Sequence, residues 1–247
     1  MKLSRFKYFL LMTLLLILER PLFSQNTNFL DTLKEYHYSA IFIDKYGDTL
    51  TREKLIIIPL GTPWKIQNSQ TAYKFSYFPD TLGLKKYKSC IPSYQKQRDR
   101  FDSYPWLKSS VTGGIEKKYQ YEIFLHPPRS NQYEYTQFGP FQIIPKDALI
   151  EDTTWSMNLR VGPGFPKLGK FKGVYCHTHH VIDRETKIYG NETIENCWKI
   201  QSSATHDVIG TSYLDWYYSR EFGFLELNYL FFDGTKIKIV LENIIRK

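Results

Sequence analysis

No proline follows Pro166, and the stretch beyond it reads as one strand after another. Proline cannot donate to a β ladder and is confined to edges and bulges. A long proline-free tract with two-residue alternation therefore suits the interior of a sheet. Within it "FKGVYCHTHHVI", "ENCWKIQSSAT", "TSYLDWYYS", "FGFLELNYLFF" and "TKIKIVLENI" alternate apolar and polar side chains. Asp233-Gly234 is a strong hairpin signal, and Asp183-Arg184-Glu185 and Arg220-Glu221-Phe222-Gly223 offer two further turns. Short strands at regular spacing, with no helical period between them, predict an antiparallel meander.

Upstream the pattern is less even. "EYHYSAIFID" and "TLTREKLIIIPL" form a hairpin around Tyr46-Gly47-Asp48, and "PWKIQ" and "AYKFSYF" read as two more short strands. From Pro79 to Gly114 alternation dissolves into a long connection, with one short helix at "SYQKQRDRF" between Pro92 and Pro105. "KKYQYEIFLHPPRSNQYEYTQFGPF" reads as a strand pair turned at Pro127-Pro128-Arg129-Ser130. The Pro/Gly-rich "GPGFPKLGKFKG" at 162–173 is the boundary between an N-terminal β region, 25–161, and a C-terminal meander, 174–247, the two packing as one unit. The expected fold is all-β: a curved antiparallel meander, half-barrel or open barrel, with long loops and at most one or two short helices. An aromatic content of 17% fits pleated sheets, where flat rings pair across strands. Leu225, Leu227, Tyr229 and Phe231 share one face, while Phe224, Leu230 and Phe232 stand on the other. A sheet apolar on both faces curves around something or is covered.

Residues 1–24 have the three parts of a secretory signal peptide: a basic start with Lys2, Arg5 and Lys7, an apolar run from Phe9 to Leu18, and a small residue at Ser24. That run is shorter than the roughly 20 residues needed to span a bilayer, so no transmembrane span is expected in the mature chain. The protein is expected to be exported to the periplasm or cell surface of a Gram-negative bacterium. Part of the formal net charge of +8 sits in that leader, and no run of five like charges occurs anywhere, so nucleic acid is not an expected partner. Cys90, Cys176 and Cys197 allow one disulfide and one thiol in an oxidising compartment; spacing does not choose the pair.

Only one stretch invites metal chemistry. In "YCHTHH", 175–180, strand geometry puts His177 and His179 on one side with Cα atoms about 7 Å apart. Zinc or iron could sit there if a third ligand joined them. Val174 and Ile182 at the ends of the other face place Cys176, Thr178 and His180 towards the core, and Tyr175, His177 and His179 outward. Cys176 and Cys197 then lie on opposed faces, Cys197 with Lys199 and Gln201. The chain has no nucleophile elbow, phosphate loop or dinucleotide fingerprint. These absences favour a binding protein that needs no cofactor. A metal-assisted envelope hydrolase using His177 and His179 is the alternative, and a structural envelope component the second.

The order "NETIENCWKI", "GTSYLDWYYSREFGFLELNY" and "DGTKIKIVLENI", spread over residues 173–245, resembles the C-terminal half of an uncharacterised family of secreted bacterial β proteins. Its architecture is similar to the curved half-barrel of lipoprotein carriers such as LolA. The resemblance implies export and a concave sheet, and brings no catalytic residue. On the concave face the expected ligand contacts are Trp198, Tyr213, Trp216, Tyr218 and Tyr229, meeting an apolar ligand such as a lipid, a glycan, or a partner protein of the envelope.

Overall fold

A computed structural model describes residues 31–80, 107–162, 171–190 and 192–247. The leader at 1–24, Cys90, the helix expected near "SYQKQRDRF" and most of the 162–173 linker lie outside the described residues.

The strand sequence begins with β1 (Lys34–Ile43), β2 (Thr49–Trp64) and β3 (Gln67–Pro79), followed by β4 (Ser109–Lys118), β5 (Tyr121–Leu125) and β6 (Gln142–Pro145). The second series is β7 (Thr154–Val161), β8 (Gly173–Tyr189), β9 (Glu192–His206), β10 (Gly210–Ser219), β11 (Gly223–Leu230) and β12 (Lys236–Arg246). All twelve form one antiparallel sheet in the order β6-β5-β4-β3-β2-β1-β12-β11-β10-β9-β8-β7, curled into a half-barrel. Each series is a meander, and β1 pairs with β12 to join them. The fold class expected from alternation is the one observed.

Local chemistry explains the elements. Asp44 accepts the backbone N–H groups of Tyr46 and Asp48 at 2.9 Å each, and Gly47 takes φ 98°, so the β1–β2 turn closes where expected. "PWKIQ" is not a strand of its own: it is the end of β2, a two-residue turn and the start of β3. Register slips between Pro59 and Pro63, where the missing N–H groups interrupt the ladder. The turn expected at Asp183-Arg184-Glu185 is instead bulged strand inside β8. There Glu185 bonds Lys199 across to β9 at 2.8 Å and Arg184 lies 4.6 Å from the Trp198 ring, so cross-strand partners hold the chain extended. β7 and β8 pair from Val161↔Gly173 to Thr154↔His180, so the hairpin they form spans the linker.

The largest departure is at 119–138. The strand pair turns at Tyr119-Gln120, not at Pro127–Ser130, and the second half of the expected pair is a 3₁₀ helix, Asn131–Phe138. The Thr136 hydroxyl lies within hydrogen-bond distance of two nearby carbonyls, Pro128 at 2.7 Å and Tyr133 at 2.8 Å, and this winds the segment up. The helix crosses the inner face of the sheet. Tyr133 packs between Phe42 (5.0 Å) and Tyr77 (5.3 Å), Tyr135 on Phe231 (5.2 Å) and Phe138 on Phe171 (4.9 Å). Such ring pairs contribute about 0.5–1.5 kcal/mol each beyond area burial. The concave side of the half-barrel is therefore filled by the chain's own aromatics.

Candidate functional site

β8 runs through the core with a parity opposite to that expected. Tyr175, His177 and His179 are buried and face inward, while Val174 is 44% exposed and Cys176 is also exposed. The apolar ends that suggested the other assignment, Val174 and Ile182, lie on the outer side. What pulls the imidazoles inward is a set of partners on three other elements. Trp216 of β10 donates its indole N–H to Ser202 Oγ at 2.9 Å, and that hydroxyl lies 2.7 Å from His179 Nδ1. Trp155 of β7 stacks on the His179 ring at 5.1 Å, and the backbone N–H of Phe141 donates to His177 Nδ1 at 3.4 Å. Burial holds the His177 pKa down to about 4; burial and then the neighbouring His177 hold His179 at about 3. Both rings are neutral at physiological pH.

The two rings are nearly parallel, 21° apart, with centroids separated by 6.3 Å. Among the described residues no group of three or more His, Cys, Asp or Glu side chains is arranged to hold a metal ion.

A second buried polar group lies where β2 meets the 3₁₀ helix. Glu53 is 6% exposed, and neither carboxyl oxygen has an aligned hydrogen-bond partner. Burial first, and the charge of Asp80 second, raise its pKa to about 8. The nearby Tyr133 hydroxyl opposes that rise.

The five expected ligand contacts do not form one surface. Trp198, Trp216, Tyr218 and Tyr229 are buried in the core, and Tyr229 is bonded by Gln142. Tyr213 points the other way and is 52% exposed. Cys197 is buried beside Trp198 because Asn196, at φ 54°, inserts a kink that turns consecutive residues inward. Cys176 and Cys197 are both free thiols on opposed faces, with the sides exchanged from those expected.

Tyr213 stands in an ordered array that sequence reasoning missed. Register sets Tyr213 between Ser203 of β9 and Leu230 of β11, and Ser203 in turn faces Thr178 of β8. One row along, Asp215 lies between Gln201 and Asn228, and Gln201 faces His180. These side chains line a shallow depression of about 420 Å³ on the outer face. Thr154 bonds His180 at 2.8 Å, and Ser156 bonds Thr178 at 3.0 Å, which fixes the β7 side of the array. The signal was present as polar residues two apart: Thr178 and His180, Gln201 and Ser203, Tyr213 and Asp215. It was hidden because Tyr213 was grouped with Trp198, Trp216, Tyr218 and Tyr229 as a contact on the concave face.

No family model matches the chain, and no curated protein does. Two solved structures are similar to it. One is a Bacteroides fragilis protein named as exported and as having a YmcC-like fold, with TM-score 0.42 and 8% identity over 87% of this chain and 96% of that one. The other is a Parabacteroides distasonis protein named as a lipoprotein, with TM-score 0.37 and 10% identity over 90% of this chain and 100% of that one. Among the described residues no helix is long and apolar enough to cross a membrane.

Proposed function

We propose that this protein is exported to the cell envelope and acts there as a non-enzymatic binding module whose ligand is a glycan, held on the outer face of the C-terminal meander. The single observation that carries the reading is the array around Tyr213. An exposed phenol ring offers a flat surface for the C–H face of a sugar. Around it Ser203, Thr178, Gln201, Asn228 and Asp215 supply hydroxyl, amide and carboxylate groups at strand spacing, suited to bonding sugar hydroxyls directly or through water. Export rests on the signal-peptide layout of residues 1–24. The likeness to lipoprotein-carrier half-barrels enters only as curvature, since a carrier role calls for an open concave face and aromatic side chains occupy it here.

The test is titration of the mature protein with chitotetraose, maltotetraose and mannotetraose, read by calorimetry and tyrosine fluorescence. At least one is expected to bind, and Tyr213→Ala to weaken it at least about tenfold, the effect of losing a stacking anchor. Tyr46→Ala, an exposed tyrosine in the β1–β2 turn, is expected to change nothing. Binding indifferent to Tyr213→Ala, or no binding by any of the three, would sink the reading.

A further inference from the structure

At the end of the half-barrel where β1 begins and β12 ends lies a cleft of about 660 Å³. This is well inside the range of small-ligand sites, about 300–1,000 Å³. It is separate from the array at Tyr213. Gly190, at φ +59°, lines it and approaches so closely that a Cβ there would lie 3.1 Å from the Glu242 carbonyl. The floor is apolar: Tyr189, Ile194 and Leu241 are buried, and Phe222 and Ile244 are half-buried.

The charges around this floor are divided. Lys34 and Arg246 are direct cross-strand partners at the β1–β12 seam, and like charges directly opposite one another are destabilising unless an anion is shared between them. Lys34 is only 6% exposed, and its carboxylate contact is Asp31 at 3.9 Å. Glu192, Glu221 and Glu242 come from three different elements and are exposed at the same cleft. Among the described residues none of the three carboxylates has a cationic partner. A chain with a net charge of +8 thus gathers three acids without a cationic partner and two cations in the lining of one cleft with an apolar floor.

We propose that this cleft binds a short peptide carrying both an anionic and a cationic group, with an apolar side chain between them. The peptide carboxylate lies against Lys34 and Arg246, and its ammonium or guanidinium lies among Glu192, Glu221 and Glu242. The apolar side chain rests on Phe222 and Ile244. The arrangement selects against ligands of a single sign, because the cations of the lining repel what its carboxylates attract, and the reverse. Charge-assisted contacts of this kind are the ones that discriminate.

The probe is the tripeptide Lys-Phe-Asp with its N-terminus acetylated and its C-terminus amidated, compared with Gln-Phe-Asn capped in the same way. Calorimetry and ¹H–¹⁵N chemical-shift mapping on the mature chain are expected to show binding of the first and not the second, with shifts at Gly190, Phe222 and Asn243. Binding is expected to weaken about tenfold in Arg246→Gln and again in Glu221→Gln/Glu242→Gln. These side chains are exposed, so unchanged melting temperatures are expected and a folding defect is excluded directly. Tyr213→Ala is expected to leave peptide binding intact, which separates this site from the glycan reading. Equal binding of the two tripeptides, no shift at the cleft, or binding insensitive to these variants would overturn the assignment. Sedimentation with phosphatidylethanolamine vesicles without binding of the free tripeptide would also overturn it, by assigning the cleft to a zwitterionic lipid.

Discussion

Burying His177 and His179 gives this protein a pH-dependent core. An unfolded imidazole takes up its proton near pH 6.5; in the fold, burial delays this to about pH 4 for His177 and about pH 3 for His179. His126, half-buried beside Arg129, behaves likewise, at about 3. A lowered folded pKa means that the unfolded chain binds protons first as the solution is acidified. The stabilisation is complete above pH 6.5 and is lost as pH falls through that value towards 3 to 4. Glu53 has the opposite sign. Its value of about 8 lies above the ordinary 4.5, so its contribution is complete below pH 4.5 and is lost as pH rises through 8. Thermal melts between pH 4 and 9 should therefore decline more shallowly on the acid side for His179→Gln, and lose the alkaline decline for Glu53→Gln. Profiles superimposable on the parent would refute both assignments. Alternation correctly put the two histidines together on one side. It missed which side, because the apolar ends of the opposite face outweighed the Trp155, Ser202 and Trp216 partners that lie far along the chain.

At the scale of elements, hairpins with local turn chemistry were legible. The β11–β12 turn closes on Asp233-Gly234, where Gly234 takes φ 87° and Thr235 N–H donates to Asp233 Oδ1 at 3.0 Å. The β8 bulges were not legible, since they depend on partners in β9, nor was the 3₁₀ helix, whose Thr136 hydroxyl bonds leave no mark in two-residue alternation. β4 carries a further constraint. A Cβ at Gly114 would meet Tyr73 Cε2 at 2.6 Å and Leu125 Cδ1 at 3.0 Å, both on buried side chains of the flanking strands. Gly114→Ala should cost about 1–3 kcal/mol in urea denaturation, the usual penalty of overpacking. Val111→Ala, at a 50% exposed position of the same strand, should stay within about 0.5 kcal/mol of the parent. Equal stabilities of the two variants would show that the close approach at Gly114 can relax.

For the whole molecule, the seam between β1 and β12 is decisive. The two strands lie at opposite ends of the described chain yet pair from Lys34↔Arg246 to Ile43↔Lys236, and Lys247 N–H donates to Leu33 O at 2.8 Å. Every other strand neighbour is also a sequence neighbour. A circular permutant that links Lys247 to Asp31 and opens between the exposed Ile150 and Glu151 would run β7 to β12 and then β1 to β6, with every pairing local. It is expected to keep the parent's circular dichroism spectrum and to refold faster, since loop closure limits the formation of distant pairs. A permutant that fails to fold, or refolds more slowly, would show that the seam is not what limits assembly. The sequence by itself determined the all-β class, the antiparallel meander, most strand positions and the pairing of His177 with His179, because these follow from two-residue alternation and from turn residues acting within a few positions. The tertiary structure alone decided which face of β8 is inside, that the concavity is filled by the chain's own 3₁₀ helix, and that Tyr213 stands apart from the other aromatics. Each of those depends on register between strands. A shift of one residue, or one bulge, exchanges the faces, and only contacts distant in sequence set it.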